Sequence, residues 1–302
     1  MQPTVTDADL LLGYLDPGFF HGGELQLDVD AARRAVGGLA EQLGLSELQV
    51  ASGIYELVNA NMAAALGVVS VERGHDPREF VLVVAGGAGP IHAAAIAREL
   101  EIPNILIPRE SSVFCAAGML ISDLKHDFVR TYARAPDEAE MEAIYAELES
   151  EALATLAAEG VPRDRVELIR SVDLRYAGQF NEVEVPRPED FHERHEALYG
   201  YSMPGAPTEL INLRLSARGI TDKPALQGSE PEGEDPSAAL KSHREAYFDG
   251  VFETVPVYDG LMLVNGNVVP GPAIIEQPTT TIVLPPGFTA RCDEHDNYRV
   301  ER

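Results

Sequence analysis

The segment 81–90, VLVVAGGAGP, constrains the chain more than any other stretch. Phe80 to Val84 is a continuous apolar run of strand length, the pattern of a parallel strand buried on both faces. It runs directly into Gly86, Gly87 and Gly89. Pro90 then suits the first turn of a helix, and His92 to Leu100 is alanine-rich and helical in character. Ile102 to Pro108 reads as a second strand, so the whole predicts a βαβ unit with a right-handed crossover.

A strand, a tight glycine turn and a helix N-terminus together favour an anion, because backbone N–H groups point outward where the helix dipole is positive. The spacing is neither of the two familiar phosphate fingerprints. No lysine follows the glycines, and the third position after Gly89 is His92 rather than glycine. A tight turn whose glycines serve only packing accounts for the same residues. His92, in the first turn, is placed either to donate to a ligand oxygen or to sit solvated. Ser111 and Ser112 are a weaker anion site, and capping a helix explains them more simply.

Upstream, Thr4 to Leu12 reads as a helix capped by Thr6 or Asp7. A second helix is expected from Asp28 to Leu43, stopped by Gly44. Ser46 and Gln49 have capping-box spacing. The helix they open carries Val50, Ile54, Leu57, Val58, Leu66 and Val69 at helical period and ends at Gly74. Its small-residue stretch, which includes Asn59 and Asn61, lets a ligand or another backbone approach closely.

The character changes after residue 130. Pro136 to Glu159 is acidic and amphipathic, with Met141, Ile144, Leu148 and Thr155 on one side. Val166 to Tyr176 and Ile211 to Ala217 alternate as half-buried strands, which makes 131–220 an α+β domain. Residues 221–243, rich in proline and acid, read as a linker. Residues 244–302, short apolar runs punctuated by Pro and Gly, read as a separate small β-rich unit.

Composition narrows the function. Lys plus Arg number 23 and Asp plus Glu 49, so the net charge is 23 − 49 = −26. Such a surface repels phosphate backbones and anionic membranes, which argues against nucleic acid and membrane as partners. No secretion signal and no bilayer-length apolar run is read in the sequence, so a soluble cytoplasmic chain is expected. Cys115 and Cys292 form no CxxC pair, and no metal site is expected. Cys115 reads as a buried inert thiol, and His192 with His195 as surface.

Several longer strings resemble the hydantoinase A/5-oxoprolinase family, which includes the acetone and acetophenone carboxylases. They are PTVTDADLLLGYLDPGFFHGG at 3–23, VVAGGAGPIHAAAIARELEIP at 83–103, AAGMLISDLKHDFVRTY at 116–132, DLRYAGQFNEVEVP at 173–186 and GPAIIEQPTTTIVLPPG at 271–287. The resemblance runs in order along nearly the whole chain but only to the C-terminal half of such proteins. It implies half of an actin-like (Hsp70/acetate-kinase-like) ATPase lobe over 1–130, in an α/β and α+β chain. It also implies ATP as cofactor, with Gly86, Gly87, Gly89 and Pro90 on the adenosine side and Asn59, Asn61 and His92 as further contacts.

No DxGGT-like phosphate loop occurs here. The resemblance therefore implies a larger partner subunit that supplies those loops and most ligands of a Mg²⁺ ion. By the same resemblance the chain is a subunit of an acetophenone-carboxylase-type ATP-dependent ketone carboxylase, inactive alone. A hydantoinase or oxoprolinase subunit is the alternative, and a scaffold that no longer binds nucleotide the third reading.

Overall fold

The computed structural model describes residues 2–134, 137–225 and 227–302. Pro136 and Leu226, inside the expected acidic helix and linker, lie outside the described residues. The chain forms two compact units, one of residues 1–118 with 225–302 and one of 119–224.

The first unit opens with α1 (Val5–Leu11), α2 (Val29–Leu43) and α3 (Glu47–Val69). The α1 cap is Thr4, two or three residues earlier than expected, in a reciprocal capping box with Asp7. Asp28 and Gly44 bound α2 as anticipated, and Ser46 with Gln49 forms the α3 box. Glu47–Arg73 is long and apolar enough to cross a bilayer by length and composition, contrary to the sequence reading. Small residues raise its hydropathy without an obvious apolar run, and Val50, Ala51, Asn59 and Ala63 are buried within the unit.

The βαβ unit is present as β1 (Val81–Val83), α4 (Gly89–Glu99) and β2 (Asn104–Ile107), with β1 and β2 parallel. The burial of β1 differs from expectation. It lies at the edge of its sheet, with Val81 and Val83 about half exposed (53% and 50%). An apolar run reports that a strand tolerates burial; its place in the sheet decides whether it is buried. A short α5 (Phe114–Ile121) follows, and Cys115 on it is exposed rather than buried.

The second unit holds β3 (Leu124–Arg134), α6 (Glu138–Ala158), β4 (Val166–Tyr176), β5 (Val183–Val185), α7 (Phe191–Tyr199) and β6 (Thr208–Gly219). Its antiparallel sheet runs β3-β6-β4-β5. Tyr145, Leu148, Ala152 and Leu156 of α6 are buried in one core with Leu213, Leu215 and Ala217. Thr155 is half-buried, outside that core, and its hydroxyl donates to the Glu151 carbonyl. Leu210 rather than Ile211 is buried, because the β4–β6 register shifts beside Asp173 and Leu174 and flips the alternation.

His195 is buried, not on the surface, with Nδ1 2.9 Å from the Tyr201 carbonyl oxygen. His192 Nδ1 meets the Tyr176 hydroxyl at 2.7 Å, so both rings belong to an aromatic cluster.

The chain then returns to the first unit as β7 (Leu240–Phe248), β8 (Val251–Asp259), β9 (Val268–Pro270), β10 (Ala273–Gln277), β11 (Thr280–Leu284), β12 (Thr289–Cys292) and β13 (Tyr298–Glu301). These strands are not a separate unit. β13 pairs with β2 and β12 in a sheet ordered β1-β2-β13-β12-β9. The other sheet runs β11-β10-β8-β7, and its Ala246, Phe248, Val255 and Val257 share a core with α1, α2 and α3.

The expected 221–243 linker is tied down where it approaches these strands. Asn265 Nδ2 donates to the Ser229 carbonyl, and Asn267 Nδ2 to those of Gly233 and Asp235. Composition marked a polar segment but carried no information about these distant partners.

Tyr298 is almost fully buried, and its hydroxyl donates to the Gly260 carbonyl at 2.9 Å. Tyr298→Ala is expected to destabilise the first unit by about 3–5 kcal/mol, read as a lower urea midpoint. An unchanged midpoint would mean that β13 is not part of that unit's cooperative core.

Candidate functional site

The N-terminus of α4 opens on a cavity of about 220 Å³ in the first unit. Its walls come from three stretches: Thr6 to His21, Gly87 to Ile91, and Glu276 to Thr281. Leu15, Phe19, Phe20 and Ile91 make part of the lining apolar. Among the described residues, no side chain caps the α4 N-terminus at Ala88. Pro90 has no N–H and the Ile91 N–H donates to the Ala88 carbonyl at 3.1 Å, so within the first turn the Gly89 N–H and the positive end of the helix dipole are what can favour an electronegative atom.

Each glycine of the turn has its own reason. Gly86 has φ +98°, a left-handed conformation that glycine adopts without strain, and its N–H donates to the Ser111 carbonyl. At Gly87 a Cβ would lie 2.9 Å from the Thr279 carbonyl oxygen. At Gly89 it would lie 3.0 Å from Val84 Cγ1, so this position serves helix–strand packing. Thr280 Oγ1 donates to the Gly87 carbonyl at 2.8 Å, and the Ser112 and Thr279 hydroxyls lie 2.7 Å apart. The 277–280 loop is thereby fastened to the glycine turn. Gln277, Pro278 and Thr279 also line a second cavity of about 280 Å³ with Arg109, Glu110 and Ser112.

Of the residues singled out in the sequence, Gly87 stands on the cavity wall. Pro90 is buried at the start of α4. Asn61 is exposed on α3 while Asn59 is buried, so the two do not act at one point. His92 is buried, and its Nδ1 is 3.0 Å from Asn59 Oδ1. With the Asn59 amide so oriented, its oxygen only accepts, so Nδ1 carries the proton of the neutral ring. Tyr55 stacks on His92 with ring centroids 5.2 Å apart.

Sequence reasoning missed Asp9. It lies on α1, 2% exposed, and lines the cavity. Asp9 Oδ2 is 3.7 Å from His92 Nε2, while Oδ1 has no hydrogen-bond partner among the described residues. Burial raises its pKa to about 7 and lowers that of His92 to about 4, since both charged forms lose hydration. The signal available in the sequence was an acid one residue before Leu10 to Leu12, on the apolar face of an amphipathic helix.

The other cavity carboxylates are engaged. Arg244 Nη2 lies between Glu276 and Asp16, 2.5 and 2.9 Å away, and Lys241 Nζ is 2.7 Å from Glu276. No group of three or more His, Cys, Asp or Glu side chains placed to share a metal ion occurs among the described residues.

Residues 1–128 match the hydantoinase/oxoprolinase family model, and residues 130–198 and 189–301 match the hydantoinase/oxoprolinase C-terminal domain. The chain belongs to the hydantoinase/oxoprolinase family. It is 34% identical to caprolactamase subunit alpha of Pseudomonas jessenii, over 99% of this chain and 46% of that one. It is 31% identical to the acetophenone carboxylase gamma subunit of Aromatoleum aromaticum, over 97% and 45%. A nucleotide-free acetone carboxylase structure superposes with a TM-score of 0.85 at 26% identity, covering 99% of this chain and 46% of that one. This family member thus spans about half the length of the curated relatives it matches.

The Asp9–His92 pair generates a prediction with a definite sign. Unfolded, with ordinary pKa values of 3.8 and 6.5, the pair holds one proton between those pH values, on histidine. Folded, it holds one proton between about 4 and about 7, on Asp9. Proton counts match, so the pair contributes almost no pH slope to stability. In Asp9→Asn only the depressed His92 remains, the folded state binds fewer protons, and stability should rise as pH rises from about 4 to 6.5. In His92→Gln only the raised Asp9 remains, and stability should fall as pH rises from 3.8 through about 7. Urea titrations at pH 4.5 and pH 6.5 read both slopes, and equal slopes in the two variants would contradict the assignment.

Proposed function

We propose that this chain is one part of an ATP-dependent enzyme that activates a carbonyl oxygen, and that it supplies the adenosine side of a nucleotide site completed by a larger subunit. The likeness to the nucleotide-free acetone carboxylase over 99% of the chain carries the reading. The glycine turn supports it, being fastened to the 277–280 loop whose Thr279 lines the neighbouring cavity with Ser112.

The neighbouring cavity of about 280 Å³, lined by Arg109, Glu110, Ser112 and Thr279, falls below the roughly 300–1,000 Å³ usual for cofactor sites, which agrees with a shared nucleotide site. Gly86 and Gly87 would stand against the nucleotide, with Ser112 and Thr279 beside them. His92 and Asn59 lie behind that wall, and Asn61 is away from it. When bound, ATP supplies the phosphoryl group that turns a carbonyl oxygen into a leaving group, and Mg²⁺ held largely by the larger subunit neutralises its charge. This chain contributes position and backbone dipoles.

The reaction we place first is ketone carboxylation of the acetophenone carboxylase type, in the cytoplasm. The 34% identity to caprolactamase subunit alpha favours lactam opening as the second reading. ADP release by the assembled complex separates them: bicarbonate dependence with a ketone supports the first, and release with a lactam alone supports the second.

Gly87→Val, which forces side-chain atoms toward the Thr279 carbonyl, should weaken ATP binding by the complex at least about tenfold, or about 1.4 kcal/mol, in a calorimetric titration. Asn61→Ala should leave it unchanged. Tight ATP binding and turnover by the chain alone would refute the shared site.

A further inference from the structure

The Asp9 cavity offers a place for the second reactant. It is small, partly apolar through Leu15, Phe19, Phe20 and Ile91, and adjoins the uncapped N-terminus of α4. Asp9 is the acid on its wall that lacks a cationic partner, whereas Asp16 and Glu276 are both held by Arg244. A buried carboxyl without a hydrogen bond to Oδ1 is costly to maintain for structure alone. Gln277, Pro278 and Thr279 separate this cavity from the neighbouring one, so two reactants bound on the two sides would share one wall.

We propose that this cavity binds a small carbonyl compound bearing a C–H or N–H group next to the carbonyl, and that Asp9 is the catalytic base that removes that proton. The inference rests on the ATP-dependent reading above. As the Asp9 carboxylate takes the proton, the electron pair of the C–H or N–H bond becomes a C=C or C=N bond. The carbonyl π pair closes a bond from oxygen to the γ-phosphorus of ATP. The bond from that phosphorus to the bridging oxygen breaks, and its pair leaves on ADP. Asp9 ends protonated and returns the proton to solvent after the product departs.

One step thus serves both a ketone, through its α-carbon, and a lactam, through its nitrogen. The positive end of the α4 dipole at the cavity mouth suits the negative charge that builds on the oxygen. Burial places the Asp9 pKa near neutrality, the range in which a general base acts best.

The test uses the complex of this chain with the polypeptide that completes the family fold, acetophenone with bicarbonate and ε-caprolactam being the probes. Asp9→Asn should lower kcat for substrate-dependent ADP release by about 100-fold or more while ATP affinity stays within about twofold of wild type. With methyl-deuterated acetophenone, the wild type should show a primary isotope effect on kcat/KM. A variant that keeps kcat within threefold of wild type overturns the role of Asp9 and leaves the ATP-dependent reading intact. A wild-type complex that releases no ADP with either probe overturns both.

Should Asp9→Asn fail to fold, methyl NMR of the wild-type complex decides. Either probe should shift the ¹³C-labelled Ile91 methyl resonance, and no shift at millimolar probe would overturn the cavity assignment.

Discussion

The first unit depends on the insertion of β13 between β2 and β12. Residues Tyr298 to Glu301 pair with Ile107 to Asn104, joining the two ends of the unit's sequence in one sheet. Ile105, Ile107, Tyr298 and Val300 are buried in the same core as Ile275, Ile282 and Leu284. That closure carries the 277–280 loop to the glycine turn, where Thr280 holds the Gly87 carbonyl. The cavity exists because of this long-range pairing: one wall lies at residues 87–91 and another at 276–281. The hydrophobic contribution is non-directional, while the ladder hydrogen bonds fix which strand goes where.

Against this frame a second constraint acts at the cavity. α1 is bounded by the Thr4–Asp7 capping box, which fixes where its helical period begins. That phase turns Ala8, Asp9 and Leu10 inward together. The Tyr14 ring is tilted against Tyr55, and Tyr55 stacks on His92, so Asp9 is set among rings and a neutral imidazole with little exposure to solvent. Desolvation then dominates its chemistry, as it does for the two tyrosines, both pushed upward. A family whose members include a caprolactamase and ketone carboxylases would gain, on the proposed role of Asp9, from one base able to serve C–H and N–H acids alike.

Much of the local structure was legible. The Ser46–Gln49 box, the helix starting at about Asp28 and the Gly44 stop all appear where their chemistry placed them. The βαβ unit and the α+β character of 131–220 were also readable, because hydrophobic period and turn residues act over a few positions. At the candidate site the glycine turn was found, but its strongest polar neighbour was not. Asp9 carries no motif, and its importance comes from what surrounds it. Local pattern leaves His92 either contacting a ligand or solvated, whereas the structure buries it behind Asp9 with Asn59.

The same boundary runs through the whole molecule. Sequence alone determined where α2 starts and stops, where α3 starts, that the final sixty residues are strands, and that the glycine turn precedes a helix. Each of these follows from groups that meet within one or two turns of chain. Tertiary structure decided that the final strands complete the first unit, that β1 is an exposed edge, and that Asp9 is desolvated. Strand partnership and burial depend on residues nearly two hundred positions apart, and no local pattern of polarity specifies which distant surface will cover which side chain.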